Sequence, residues 1–245
     1  MNDSTWRLIG VLGGMGPMAT IDFMAKVVAL NPATCDQAHV PLIVHQVPQI
    51  PDRSAAIMKG SDAPLAPMLT GLRRLAQAGA ELAVIPCNTA HHWHAQLSRL
   101  QELPLLHIAD AVEQELISKE LHGKQIALMA TRGTHVAGVY SGRLSSAFGP
   151  LMSGDEAVQK LIDVSIAAVK SGELARGTSA ALEAADRLFS AGAEVLILGC
   201  TELPVALANT AVQGRCIDST LALARLCLKE AVRNDIDERR CIARH

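Results

Sequence analysis

Apolar positions along this chain fall into short unbroken runs separated by longer stretches of helical period. RLIGVL (7–12), PLIVHQV (41–47), LAVIP (82–86), KQIALM (124–129) and VLILG (195–199) read as strands. Their continuous hydrophobicity marks strands covered on both faces, as in parallel sheets. Between them the spacing predicts helices near 18–30, 64–78, 90–102, 109–122, 155–171, 175–191 and 218–234. Strands alternating with helices place the chain in the α/β class, with parallel sheets flanked by helices.

The pattern also repeats. Residues 74–87 (RLAQAGAELAVIPC) and 187–200 (RLFSAGAEVLILGC) match without a gap at Arg, Leu, Ala, Gly, Ala, Glu and Cys. Each runs from a helix end through a glycine stop and an acidic residue into an apolar strand that a cysteine closes. RLIGVL opens onto GGMGP as KQIALM opens onto ATRGTH, and LLHIAD (105–110) resembles GRCID (214–218). The last two each end in an aspartate, Asp110 and Asp218, expected to N-cap the following helix. The chain is therefore read as two similar lobes, whose strand-end cysteines could face one cleft. The first lobe is 1–108 plus 218–245, carrying the C-terminal helix, and the second is 109–217. No linker-like or low-complexity tract intervenes, so the lobes are expected to pack directly together.

Composition narrows the function. At 245 residues, 49% hydrophobic and 19% charged, the chain can bury a large core, which excludes a disordered protein. A net charge of −2 without long runs of one sign, and only 2% aromatic residues, argue against nucleic-acid or glycan partners and for a small ligand. No apolar stretch is long enough to span a membrane. The opening MNDSTWR lacks the basic start of a secretion signal, so a cytoplasmic location is expected. Cysteines stand at 35, 87, 200, 216, 227 and 241 with no C-x2-C spacing, which speaks for free thiols in a reducing compartment.

The chemistry concentrates at two of these thiols. A cysteine between a strand end and a helix start meets unpaired backbone N–H groups and the helix dipole, which favour thiolate. Cys87 is followed by Asn88 and Thr89, and Cys200 by Thr201, groups able to hold a carboxylate. A lone strand-end cysteine is ordinarily a small buried hydrophobe. A repeated, polar-flanked pair instead suits a reaction that removes a proton from one face of a carbon and returns one to the other, as racemisation requires. Cys227 reads as core, and Cys35, Cys216 and Cys241 as core or incidental surface.

Other features are less specific. The run CNTAHHWH, with His91, His92 and His94, invites a metal reading, but the second copy, CTELPV, has no histidine, so no metal is expected. Cys87 with His91 could form a hydrolase dyad. His92 and His94 are better read as a polar helix face. GGMGP (13–17) does not meet G-x-G-x-x-G; turn chemistry or an anion-binding loop explains it as well. Arg53, on a loop after the strand PLIVHQV, could clamp a carboxylate with two hydrogen bonds. Lys170 ends a helix, where a cation is at home in any case.

Taken together, GGMGP, PDR, PCNTAH and GCTELP resemble the aspartate/glutamate racemase family over residues 7–232. The resemblance implies cofactor-independent enzymes, usually homodimers, with two similar α/β lobes related by a pseudo-twofold axis and two catalytic cysteines facing a substrate held in the cleft between them. It makes Cys87 and Cys200 the acid/base pair and gives Asn88, Thr89 and Thr201 to the α-carboxylate region. It assigns Arg53 and Lys170 to recognition of a substrate carboxylate. Thr131 and Thr134 match a threonine-bearing loop lining the cleft, and Met15 and Glu202 join the substrate-binding residues from the same motifs. Lys170 takes a binding role, so a pyridoxal Schiff base is not implied. Aspartate is the expected substrate, with glutamate or another acidic amino acid as the near alternative. Hydantoin racemase, maleate isomerase and arylmalonate decarboxylase chemistries use similar cysteine sites, and a two-lobed binding protein without chemistry is the alternative outside catalysis.

Overall fold

The computed structural model describes residues 6–233; MNDST, Cys241 and the rest of the tail lie outside the described residues. In chain order come β1 (Ile9–Gly13), α1 (Pro17–Leu30), β2 (Leu42–Gln46), α2 (Arg53–Met58), α3 (Leu65–Gln77), β3 (Leu82–Val84), α4 (His94–Leu100) and α5 (Ile108–Ser118). They are followed by β4 (Ile126–Ala130), α6 (Arg132–Val136), α7 (Ser141–Phe148), α8 (Glu156–Lys170), α9 (Leu174–Ser190), β5 (Val195–Gly199), α10 (Leu203–Ala206), β6 (Cys216–Asp218) and α11 (Ser219–Ala231).

Two parallel sheets result, ordered β2–β1–β3 and β4–β5–β6. Parallel bridges extend both in the same sense: Leu105 joins Ala83 beyond β3, and Met152 joins Ala127 beyond β4. Leu105 thus stands to β3 as Cys216 stands to β5, the LLHIAD/GRCID match of the sequence. Side chains alternate between two cores. Leu12 and Ala83 face α3 and α4, and Met129, Leu196 and Leu198 face α8 and α9. Ile9, Val11 and Val84 of one sheet share a third core with Ile126, Leu128 and Ile197 of the other, filled by α5 and α11. Strands β1, β3, β4 and β5 are buried on both faces, which explains why their runs show no alternation, whereas β2, expected to be covered likewise, is only partly buried.

The repeated identities have matching physical causes. After α3, Gly79 adopts φ +92° and the Ala80 N–H reaches back to the Leu75 carbonyl; after α9, Gly192 adopts φ +104° and the Ala193 N–H reaches the Leu188 carbonyl. Both are left-handed helix stops that a glycine takes without a Cβ penalty. The shared glutamate then fastens the neighbouring strand. Glu81 Oε2 accepts the Leu8 N–H at 2.7 Å, and Glu194 Oε2 accepts the Gln125 N–H at 3.0 Å.

Several expectations change. Asp218 does cap α11, accepting the N–H groups of Thr220 and Leu221, but the cap of α5 is His107, whose Nδ1 accepts the Ala109 N–H at 3.1 Å. Asp110 sits one turn further in and pairs with Arg143. Strand β3 stops at Val84 rather than at the cysteine, because Pro86 has no N–H to continue a ladder. The region expected as one helix over 90–102 starts as a 3-10 turn, Thr89–Trp93, before α4. Helices α2, α6, α7 and α10 escape the sequence reading, being too short for a periodic pattern. Two of them rest on a side-chain cap, Asp52 for α2 and Thr131 for α6. Arg53 is consequently the first residue of a helix, not a loop residue.

Candidate active site

The carboxyl ends of both sheets open on one cavity of about 310 Å³ including its mouth, lined by Met15, Asp52, Arg53, Ser54, Cys87, Asn88, Thr89, Thr131, Lys170, Cys200, Thr201 and Glu202. Cys87 and Cys200, 113 positions apart in the repeat, therefore share a single pocket. Each is buried, at 5% and 6% exposure. Ligand clefts at strand carboxyl ends are the general habit of open parallel sheets.

The loop carrying Cys87 is held by the tight turn from its N–H to the Ile85 carbonyl. Behind it, the buried Asn88 is fixed from two sides: its amide donates to Ser219 Oγ at 3.1 Å and its carbonyl accepts the hydroxyl of Tyr140. Ser219 in turn donates to the Leu198 carbonyl of β5 at 2.7 Å. Thr89, Thr131 and Thr134 form a triangle of hydroxyls with edges of 2.9–3.0 Å. Thr134 stands behind the wall, fully buried, and does not itself line the cavity. Helices α2 and α6 meet where Gly133 donates its N–H to Ser54 Oγ at 2.9 Å. A Cβ at Gly133 would lie 2.6 Å from Ser54 Cα, so glycine is what permits the approach.

Charge in the pocket is uneven. The Arg53 guanidinium is anchored by the carbonyls of Ile50, Pro51 and Met15, each at 3.1 Å. Its Nε–H is buried without a partner, and of its five donors one further Nη2 hydrogen stays unused. Lys170, partly open to solvent, ends α8 at the cavity wall. Crowding by protein works against its charge, but Glu202 first and then Cys200, Cys87 and Asp52 outweigh that, and its pKa is raised.

The two thiols differ. Cys200 Sγ donates to Glu202 Oε2 at 3.0 Å, and Thr201 Oγ1 donates to the same oxygen at 3.3 Å. Burial, followed by the charge of Glu202 and this hydrogen bond, raises the Cys200 pKa well above the usual thiol range. The expectation that a strand-end position favours thiolate thus fails for Cys200: a helix of four residues supplies little dipole, and a carboxylate sits against the sulfur. Cys87 has no such neighbour, since the residue two places on is Thr89, engaged in the triangle above.

The histidines do other work. His91 Nδ1 lies 2.9 Å from the Cys87 carbonyl, so it carries the proton and donates to the backbone rather than to the thiol. Burial lowers its pKa to about 4, which keeps the ring neutral. His94 donates to the Leu105 carbonyl at 2.9 Å and packs edge-on to His107, while His92 is exposed. Among the described residues no group of three or more His, Cys, Asp or Glu is arranged to hold a metal ion. Two glycines of GGMGP serve close packing: a Cβ at Gly13 would run into the Thr20 side chain, and Gly14, at φ +92°, leaves no room for one against the Val47 backbone 2.5 Å away.

Asp52, Ser54, Tyr140 and Ser219 were not singled out by the sequence. The capping pattern of PDRS could have revealed Asp52. Nothing local signals Tyr140, which reaches the site from 52 residues beyond Asn88.

A family sequence model described as Asp/Glu/Hydantoin racemase matches residues 12–227. The broad specificity amino-acid racemase RacX of Bacillus subtilis (strain 168) is 25% identical over 229 residues, 89% of this chain and 95% of its own length. Picrophilus torridus aspartate racemase superposes with a TM-score of 0.81 at 28% identity, covering 95% of this chain and 98% of its own. Glutamate racemase from Francisella tularensis subsp. tularensis SCHU S4 shares the fold, with a TM-score of 0.68 at 16% identity over 92% of this chain and 81% of its own.

The tether of Asn88 is open to a stability test. Tyr140→Phe leaves the Asn88 carbonyl buried without its donor, and urea unfolding is expected to show a loss of about 1–3 kcal/mol. A loss below about 0.5 kcal/mol would mean that the hydroxyl carries no net weight.

Proposed function

We propose, for a chain that belongs to the Asp/Glu/Hydantoin racemase family, that it interconverts the enantiomers of aspartate or a closely related acidic amino acid without a cofactor. That it is an isomerase of the amino-acid racemase type follows from the family and its racemase relatives. The observation that carries the finer reading is the single cavity lined by both Cys87 and Cys200, with Arg53 and Lys170 beside them. In this reading the lobes are residues 1–108 with 218–245, and 109–217, and each contributes one thiol.

The reaction needs one sulfur as base and the other as acid. With Cys200 held as thiol, Cys87 as thiolate removes the α-proton from one face and Cys200 delivers its own proton to the other. Cys87 ends as thiol and Cys200 as thiolate, and the opposite enantiomer reacts with the roles exchanged. The backbone and hydroxyl groups of Asn88, Thr89 and Thr201 hold the α-carboxylate, with Thr131 and Met15 completing the wall and Thr134 supporting it. The side chain of Asn88 is already committed to Tyr140 and Ser219, so its contribution runs mainly through the backbone.

Arg53 and Lys170 receive the second carboxylate. The unpartnered Nε–H and spare Nη2 hydrogen of Arg53 support this, since a buried donor without an acceptor is costly until a ligand supplies one. A hydantoin carries no carboxylate for these cations. Aspartate and glutamate differ by one methylene, worth about 1–3 kcal/mol in a fitted pocket, and the aspartate racemase neighbour inclines the choice to aspartate.

A homodimer is the proposed assembly. Along α1 the exposed residues Met18 (66%), Ile21 (53%) and Val28 (55%) form an apolar stripe, the sort of face that a partner covers. The proposed location is the cytoplasm, where thiols such as Cys35, Cys87, Cys200, Cys216 and Cys227, all free, stay reduced. No helix among the described residues is long and apolar enough to cross a membrane.

Incubation with L-aspartate in D2O is expected to yield D-aspartate carrying deuterium at Cα. Cys87→Ser and Cys200→Ser should each lower racemisation by about 10²–10⁴-fold, and undiminished turnover in either contradicts the two-thiol mechanism. A bound but unexchanged ligand would favour a binding protein. Arg53→Lys, which loses the fork geometry, is expected to cost aspartate about 1.5–3 kcal/mol in kcat/KM; equal losses for neutral amino acids would remove Arg53 from substrate choice. Sedimentation should give a species of twice 25.9 kDa, and a monomer at micromolar concentration would exclude the dimer.

A further inference from the structure

Three histidines pack behind the first cysteine, and the chemistry described above uses none of them. His91 is buried, at 4% exposure. It stacks on His94 with ring centres 5.9 Å apart and meets His107 edge-on at 4.8 Å. Both neighbours are tied to backbone, His94 Nε2 donating to the Leu105 carbonyl and His107 Nδ1 accepting the Ala109 N–H. The ring of His91 is thereby wedged in one orientation, with Nδ1 at 2.9 Å from the Cys87 carbonyl and Nε2 buried without a partner. In the second copy the matching carbonyl is held without a side chain: that of Cys200 accepts the Leu203 N–H, three residues on, at 3.1 Å. A backbone turn in one lobe is replaced by an imidazole in the other, which gives the histidine of PCNTAH a task that GCTELP does not need.

Resting on the racemase reading above, we propose that His91 is a positioning residue that sets the Cys87–Asn88 peptide to meet the charge racemisation places on the α-carboxylate. The carbonyl and N–H of a trans peptide point to opposite sides. With the Cys87 carbonyl tied to His91 behind the wall, the Asn88 N–H turns toward the cavity that Asn88 lines. Asn88 stands at the entrance of the turn Thr89–Trp93, so this N–H has no partner within the turn and is free for a ligand oxygen. When one thiolate takes the α-proton, the C–H electron pair is shared with the carboxylate, whose oxygens gain negative charge. The other thiol then returns a proton to Cα and the charge withdraws. A donor fixed beforehand at those oxygens lowers the barrier more than it favours the bound substrate. The imidazole also polarises the peptide, which strengthens its N–H as a donor.

His91→Asn and His91→Gln separate this role from packing, because the Asn amide nitrogen falls where Nδ1 stands and the Gln amide nitrogen where Nε2 stands. Two quantities are measured: kcat for racemisation of L-aspartate, and the calorimetric Kd of succinate, a dicarboxylate that binds without reacting. His91→Gln is expected to lower kcat by about 100-fold and weaken succinate by about threefold, while His91→Asn stays within about tenfold of the native kcat. His91→Leu, which fills the space and offers no donor, should behave as Gln does and serves if the Gln variant does not fold. Equal losses of kcat in the Asn and Gln variants, an unchanged kcat in Gln, or a succinate loss as large as the kcat loss overturns the role of His91 and leaves the two-thiol reading intact. A native protein that binds succinate yet forms no D-aspartate sinks the racemase reading, and this role with it.

Discussion

Two loops that end strands in different sheets must hold their side chains at fixed separation, and buried hydrogen bonds between the sheets do the holding. Asn88 follows Cys87 directly, and its amide reaches Ser219, at the start of α11, while Tyr140 closes its carbonyl. Ser219 continues the chain of contacts to Leu198, two residues before Cys200. In a water-poor interior each of these groups would be costly if unpaired, so the network tolerates one arrangement of the loops and penalises others. The threonine triangle and the Gly133–Ser54 contact do the same on the opposite rim. The shape of the pocket is in this sense a property of polar pairing, while the apolar core supplies the rigid sheets on which the loops sit.

Duplication accounts for what the halves share, and its lapses account for what they do differently. Gly79 and Gly192 end helices in the same left-handed turn, and Glu81 and Glu194 fasten the adjacent strand by the same backbone bond. Those identities are architectural. At the pocket the copies part: the Cys200 sulfur donates to the carboxylate of Glu202, while the matching place two residues after Cys87 is held by Thr89. Two chemically alike groups in unlike surroundings suit the acid and base roles proposed for them.

Much of this was legible along the chain because the relevant signals are local. Unbroken apolar runs marked the strands, and the fourteen-residue repeat paired Cys87 with Cys200. The motifs around them named Asn88, Thr89, Thr201 and Glu202, and the family resemblance added Met15, Arg53, Thr131 and Lys170, all of which line the cavity. The short helices are not legible, since four to eight residues carry too little period, and Arg53 reads as a loop residue for that reason. Asp110 was read as a cap because its sequence context matches that of Asp218, yet the chain enters α5 one turn earlier and His107 takes the position. The protonation of Cys200 departs from the expectation of a helix start because the carboxylate two residues on lies against the buried sulfur.

By itself the sequence determined the class of fold, the duplication, and which two thiols stand at equivalent strand ends, for hydrophobic period and turn chemistry act between residues close in the chain. Tertiary structure alone decided that both thiols enter one cavity, that Tyr140 and Ser219 brace it, and that Cys200 lies against Glu202 within a buried site. Those outcomes depend on distances between segments far apart in sequence and on exclusion of water, and neither quantity exists until the two sheets have packed.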